Sequence, residues 1–480
     1  MATVVQKTKV ETNGVNPVPD NERYGKARDL FPIWFSWNVS IFGITSGIYV
    51  MGLGLSVWQT IVAGVLGYFL SCAIVGIIAT GSVRTGLPTL VQSRFAFGYH
   101  GNKLPSFFGY AANMGWKVTL LSMASTTLAD WFAKMFPALQ DAAGHATQTT
   151  TLFSFAVVII FTMIGAFYGH AMIMRIEKVI AWVTGLLTIV YLGYFLPEIN
   201  FSALGSVPDA PIGTMIGGLV LAMTIVGLGF VNYGGDYARY LPRDTRSSGV
   251  IFWTTVGIAL PVSILLVLGS MLSAGNPELY ASVAKEPLVA LLSFLPHWFY
   301  VIFSLVVIVS LMSAGMTGIY SSGLALLALG VPMSRLGTTI LNAVMITLGS
   351  FYLTFISDSF LSTFTSFLAT ISVMMGSWAT IAMVDLVRQK ALGWDVKMAL
   401  PPSEGGKSVR WEALGSFLFA SFIGLGTITS SDPYIGMVTS FLLTEEMRSS
   451  VFASSNMGVI LAMLVAMVVY AFITFVCKRK

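Results

Sequence analysis

Stretches of about twenty apolar residues, parted by short polar connectors, recur almost end to end, from near Phe31 to near Val476. Each is long enough to cross about 30 Å of hydrocarbon as a helix. The pattern predicts about twelve membrane-spanning helices, at 31–54, 58–80, 104–133, 152–170, 177–197, 212–235, 250–274, 298–330, 334–356, 360–386, 411–429 and 455–477. The eleventh has the softest end, because the apolar run PYIGMVTSFLL that follows could extend it or lie in the interface. The first thirty residues are polar and lack the apolar core of a cleavable signal.

Two of these spans are interrupted by glycine. The first carries IFGITSGIY, Ile41 to Tyr49, and the sixth carries IVGLGFVNYGGDYARYL, Ile225 to Leu241. Glycine and small hydroxyl residues weaken a helix, and unwound backbone at membrane depth is tolerated only where it lines a cavity. These helices open two successive groups of five spans, and an odd number of crossings turns the second group over. Matched broken helices in inverted halves mark the substrate site of a secondary transporter, although small residues also serve close helix packing. The predicted domains are therefore a polar tail at 1–30 of disordered composition, a ten-helix transport core at 31–386, a loop at 387–410 with the flexible-linker signal PPSEGG, and two added helices with a short tail at 411–480.

Composition agrees with this picture, since 55% of the 480 residues are hydrophobic and only 10% are charged. Charge also orients the chain, because cytoplasmic loops collect lysine and arginine. With the amino terminus inside, 22 of the 26 basic residues fall on the cytoplasmic side, Lys134, Lys285 and Arg448 fall outside, and Lys117 falls within a helix. Both termini are then cytoplasmic, in a multi-pass protein of the cell membrane. The net charge of +5 follows from topology and requires no nucleic-acid partner. Cys72 and Cys477 are far apart in apolar helices, and the four histidines are scattered without metal spacing. No phosphate-binding glycine loop, Ser/His/Asp set or intramembrane carboxylate cluster is visible, so an embedded enzyme, a metal and a cofactor are not expected. Asp236 and Asp244, among Arg239, Arg243 and Arg246, suggest either an ion-pair network at the inner exit or a solvated loop.

Further motifs narrow the class. They are WFSWN (Trp34 to Asn38), SRFAFGYHG (Ser93 to Gly101), Gly115 with Trp116, DYARYLPRD (Asp236 to Asp244) and GIYSSGLALLALG (Gly318 to Gly330). In this order and spacing the chain resembles the nucleobase:cation symporter family one, the permeases for cytosine, purines, hydantoins, allantoin and related rings. The resemblance implies an all-α fold: a LeuT-type five-plus-five inverted repeat with two terminal helices, holding a flat heterocycle between helices one, three, six and eight. It implies ion-coupled import of a nucleobase, cytosine or a purine foremost, by a monomer in the bilayer. A same-architecture symporter for a vitamin precursor, allantoin, a hydantoin or an amino acid is the alternative reading.

Trp116 lies about a dozen residues into its helix, near mid-depth, where an indole face can stack a flat ring for roughly 1 to 3 kcal/mol. Several ring-edge positions depart from better known relatives: Leu120 stands where an amide is common, Gly227 where some relatives have a second tryptophan, and Gly318 where many have asparagine. Hydrogen bonds to the ring are then expected from Asn113, Asn232, Thr45, Ser46 and the backbone of Gly43 to Gly47 and Gly227 to Gly229, with Phe230, Thr317, Gly318 and Lys117 alongside. For the coupling ion, sodium or proton, the resemblance points to carbonyls of the first helix, at Ile41 and Ile44, and hydroxyls of the eighth, Ser310 and Ser313. That is a thin oxygen set, and Lys117 is the charged side chain placed deep in a helix. Burial lowers a lysine's pKa, so Lys117 is the candidate for coupling, or for direct donation to substrate.

Overall fold

The computed structural model of the protein describes residues 15–167, 170–330 and 334–477. Long helices dominate them, and the strand-like pairing is confined to one isolated bridge, Gln140 with Ala146. The principal helices are α1 (Leu30–Asn38), α2 (Phe42–Met51), α3 (Val57–Thr85), α4 (Lys103–Met135), α5 (Gln148–Phe167), α6 (His170–Phe195), α7 (Ile212–Ile225) and α8 (Gly227–Phe230). They continue with α9 (Ser247–Ala274), α10 (His297–Ala328), α11 (Arg335–Phe351), α12 (Phe360–Leu392), α13 (Trp411–Thr427) and α14 (Gly458–Phe475). Among the described residues, eight spans are long and apolar enough to cross a membrane: the expected second, fourth, sixth to tenth and twelfth. The other four expected spans, α1 with α2, α4, α6 and α13, are helical too; α1 and α2 are short, α13 has 17 residues, and α4 carries Lys117, Asp130 and Lys134.

Helix packing sorts the spans into two groups. The broken helices α1/α2 and α7/α8 pack with α3 and α9, while α4, α5, α10 and α11 pack with one another and α6 lies on α10. Each group contains spans that are five apart in the chain, as an inverted repeat requires. α12 touches both groups, and α13 and α14 pack against its outer side and each other.

Both predicted interruptions are present, but the first is displaced. α1 ends at Asn38, whose side-chain amide donates to Trp34 O at 2.8 Å and satisfies one of the carbonyls orphaned there. The unwound residues are Val39 to Ile41, and helix resumes at Phe42. Gly43 to Gly47 are therefore helical, correcting the expectation that their backbone is freed. Those glycines serve a close crossing instead: a Cβ on Gly47 would lie 2.1 Å from Leu266 O, and one on Gly269 2.0 Å from Ile44 O. Small residues at such a crossing let two backbones approach for dispersion contact that lipid cannot match. The second interruption falls at Val226, with φ −121° and ψ −77°, and the short α8 follows it.

The polar segments are more ordered than their composition predicts. Residues 1–14 lie outside the described set, but from Val15 the tail runs across the ends of α3 and α9. Val18 is fully buried, its N–H donates to Gly86 O at 3.0 Å, and the buried Arg23 donates to Val83 O at 2.6 Å. Tyr24 N–H donates to Tyr240 O at 2.7 Å, and Arg243 pairs with Asp20 at 2.6 Å. The loop with PPSEGG is docked too: Tyr99 N–H and His100 N–H donate to Lys407 O and Ser408 O at 2.8 and 2.7 Å, and Arg410 donates to Phe95 O at 2.7 Å. The C-terminal helix ends nearby, where Tyr470 donates to Asp385 at 3.0 Å, so the tail and the end of α14 share one face of the molecule. After α13 the apolar PYIGMVTSFLL run does not extend the helix. It folds back, Ser440 N–H donating to Leu425 O at 2.9 Å and Leu442 N–H to Gly426 O at 3.0 Å.

Candidate binding site

The second interrupted helix meets the second group at Trp116, and the first reaches it through Phe364 of α12. The Trp116 indole packs edge-to-face on Phe364, ring centroids 5.6 Å apart and planes at 77°. On the other side the backbone of α8 closes in, since a Cβ on Gly229 would lie 3.1 Å from Trp116 Nε1. Phe364 in turn meets Phe42 of α2 at 5.9 Å and stacks on Phe360 at 5.5 Å. Phe230 points away, packing edge-to-face on the buried Trp34 at 5.7 Å. The result is an aromatic cluster closed on one side by the side-chain-free backbone of Gly229. Phe42 and Phe364 were not among the residues expected; each is one aromatic in an apolar helix, and only tertiary packing distinguishes them.

Polar candidates distribute differently from expectation. Thr45 Oγ1 donates to Phe42 O at 2.7 Å and Ser46 Oγ to Gly43 O at 2.6 Å, so both buried hydroxyls spend their protons on their own helix. Asn113 donates to Ser322 Oγ on α10 at 3.0 Å, tying α4 to α10. Asn232 donates to Gly109 O at 3.3 Å, while its buried Oδ1 accepts nothing among the described residues. Gly109 is seven residues before Trp116, so Asn232 lies about 10 Å toward the face bearing the termini and not beside the indole.

Lys117 follows Trp116 but turns to another neighbour. Its helical neighbours at i−4 and i+4 are Asn113 and Leu121, which meet Ser322 and Gly315 of α10; a Cβ on Gly315 would lie 2.8 Å from Leu121 Cδ2. That register sets Lys117, partly buried and not free, against the stretch of α10 between Gly315 and Ser322. Thr317 and Gly318 belong to this stretch, and their side-chain surroundings lie outside the described residues. Ser313 is buried and Ser310 partly so, and Ser313 lies about 8 Å along the axis from the level of Lys117. Ile41 O accepts Ile44 N–H at 3.0 Å, and Ile44 O lies against Gly269 of α9. These two carbonyls are thus engaged within α2 and at its crossing with α9, and Ser40 O just before them accepts Gly43 N–H at 2.8 Å.

Two carboxylates bracket the site. Toward the terminal face, Asp236 accepts from Thr89 N–H at 2.8 Å and Thr89 Oγ1 at 2.9 Å, while Arg239 lies over the Tyr240 ring at 5.1 Å. Burial pushes the Asp236 carboxyl above its ordinary value, and the Thr89 donors and Arg239 oppose this. At the opposite face, Asp432 accepts from Thr363 Oγ1 at 2.8 Å, Tyr352 OH at 3.2 Å, and Tyr434 N–H and Ile435 N–H at 3.0 Å each. Burial alone would raise this carboxyl, but the combined donors hold it below the usual range.

A family profile described as permease for cytosine/purines, uracil, thiamine, allantoin matches residues 17–450. A provisionally named purine-cytosine permease of Bacillus subtilis (strain 168), YxlA, is 25% identical over 435 residues, covering 89% of this chain and 90% of that protein. The purine-cytosine permease FCY21 of Saccharomyces cerevisiae is 24% identical over 279 residues, 56% of this chain and 49% of its own length. Among solved structures, Mhp1, a nucleobase-cation-symport-1 family transporter, aligns in its closed form with bromovinylhydantoin bound at a TM-score of 0.64, with 16% identity and 97% of each chain covered. Its inward-facing form aligns at 0.69, with 14% identity, 98% of this chain and 95% of the other.

Proposed function

The chain belongs to the family of permeases for cytosine/purines, uracil, thiamine and allantoin, and from that premise we propose that it imports cytosine or a purine by cation-coupled alternating access. The observation that carries this reading is the Trp116 indole, flanked by the bare backbone of Gly229 and the ring of Phe364, with Phe42 packed on Phe364 behind it. A planar ring entering there stacks on Trp116, and its edge reaches backbone groups at the Val39 to Ile41 and Val226 interruptions. Asn232 Oδ1, further toward the inner face, offers an acceptor on the way out. The group containing α1/α2, α3, α7/α8 and α9 rocks against the group containing α4, α5, α10 and α11, exposing the ring to each side in turn. The charge pattern puts the tail and the end of α14 in the cytoplasm, and twelve crossings complete a monomeric transporter: a core at 31–386, a loop at 387–410 and two added helices.

Lys117 is the coupling residue of this reading. Facing Gly315 to Ser322 between α4 and α10, it lies within the second group and one residue from Trp116, where that group meets α8, so its protonation can respond to the rocking at this contact. Proton coupling is therefore favoured over sodium, given that Ile41 and Ile44 carbonyls are engaged elsewhere. The departures at Leu120, Gly227 and Gly318 support a second reading, a related heterocycle such as allantoin. Uptake of radiolabelled cytosine, adenine and hypoxanthine into vesicles, with hydantoin, allantoin and amino acids as competitors, separates the two. Uptake blocked by allantoin and not by any nucleobase would overturn the first.

A further inference from the structure

The segment between the last two helices, 428–457, is built as a rigid piece. Ser440 Oγ donates to Ile428 O at 2.7 Å, and Asn456 Oδ1 accepts Thr429 N–H at 2.8 Å. Ser440 (φ 62°) and Asn456 (φ 49°) adopt left-handed backbone, which side chains other than glycine hold only when surrounding contacts fix them.

From this base the segment reaches both moving parts. On one side Asp432, 3% exposed, accepts from Thr363 of α12 and from Tyr352 at the end of α11, its N–H donates to Ser366 Oγ at 3.4 Å, and the Ser431 and Ser362 hydroxyls meet at 2.7 Å. On the other side Ser455 Oγ donates to Gly213 O at 2.9 Å, in the first turn of α7, and a Cβ on Gly213 would strike Val451 Cγ1 at 2.1 Å. Thr363 directly precedes Phe364, the ring that covers Trp116. Phe364 is the ring packed on Trp116 from the outer turn of α12, and that turn is tied to Asp432 through Thr363.

We propose that Asp432 is a positioning residue for the substrate site: by holding the outer turn of α12 through Thr363, it seats Phe364 over Trp116, and the 428–457 segment thereby clasps α12 to α7 across the outer mouth. This rests on the reading of Trp116 as the ring platform. A bond that merely stabilised the fold would change melting and leave outer access untouched, so access is the quantity to measure.

The test uses the full chain in right-side-out vesicles, carrying Cys477→Ser and Leu120→Cys; Leu120 lies one turn outward of Trp116 and is partly buried, and Cys72 is buried. The labelling rate by an impermeant maleimide reads access from outside. Loss of one such hydrogen bond predicts a rise of about three- to tenfold in Asp432→Asn and in Thr363→Val. Phe364→Ala should raise the rate as much, and Asp432→Asn added to it should change little further. Thr363→Val, nearly isosteric, carries the test if Asp432→Asn fails to fold. A wild-type rate in the folded variants overturns the proposal, as does full additivity with Phe364→Ala. Failure of the platform reading shows separately, as wild-type uptake affinity in Trp116→Ala.

Discussion

Alanine at Gly47 and alanine at Gly229 add the same methyl group to the two interrupted helices, and the structure predicts opposite outcomes. At Gly47 the new Cβ falls 2.1 Å from Leu266 O and 2.7 Å from Ser270 N, both backbone atoms of α9. Ordinary contact begins near 3.4 Å, so α2 and α9 must part by about 1 Å, along with the reciprocal approach of Gly269 to Ile44. Overpacking of this kind costs about 1 to 3 kcal/mol, more when the obstacle is backbone. At Gly229 the nearest atom is Trp116 Nε1 at 3.1 Å, on a side chain that can give by a few tenths of an ångström. Stability should then change by less than about 0.5 kcal/mol, while the methyl occupies the wall against which a ring would lie. The assay is thermal melting of both variants in one detergent, paired with concentration-dependent uptake. Gly47→Ala should melt several degrees below the wild type, and Gly229→Ala should melt with it but show at least about threefold weaker apparent affinity. A Gly47→Ala protein as stable as the wild type, or a Gly229→Ala protein with unaltered uptake, would refute this division of roles.

Trp116→Ala should weaken substrate affinity at least about tenfold, with Trp116→Phe keeping part of it, as competition binding would show. Lys117→Gln should abolish accumulation against a gradient while gradient-free exchange persists; wild-type accumulation would remove Lys117 from coupling. The hydrogen-bonded Asp432 carboxyl lies below its ordinary value, so its contribution to stability is complete above the unfolded-state pKa and is lost as pH falls through the lower folded value. The melting difference between wild type and Asp432→Asn should accordingly stay constant from about pH 8 to pH 5 and shrink only below about pH 4.

Much of this architecture is legible in one dimension because the bilayer imposes length, apolarity and charge asymmetry on each span separately. The helix interruptions were legible as regions and not as residues. Glycine permits unwinding and close crossing alike, and at Gly43 and Gly47 the approach of α9 decides for crossing, leaving Val39 to Ile41 to unwind. Trp116 could be picked out by its depth. Phe364 could not, since nothing local separates it from the other rings of α12. Composition misled at the polar segments: PPSEGG and the tail beyond Val15 look unstructured, yet backbone hydrogen bonds to residues roughly 200 to 300 positions away order them. Asp432 was invisible for the same reason, as its partners Thr363 and Tyr352 are contributed by other helices.

The seating of the tail also bears on how the protein is made. Tyr24 pairs with Tyr240, and Gly47 is crossed by α9, so the earliest helices leave the ribosome roughly 200 residues ahead of their partners. At about 5 to 20 residues per second that is a wait of about 10 to 40 s, during which Trp34 lacks Phe230 and Tyr237 and Ile44 lacks Gly269. The first three helices must persist as loosely associated segments in the insertion machinery until α9 arrives, and chain stalling between Tyr240 and Ala274 should yield a nascent product that proteases still cut at the tail.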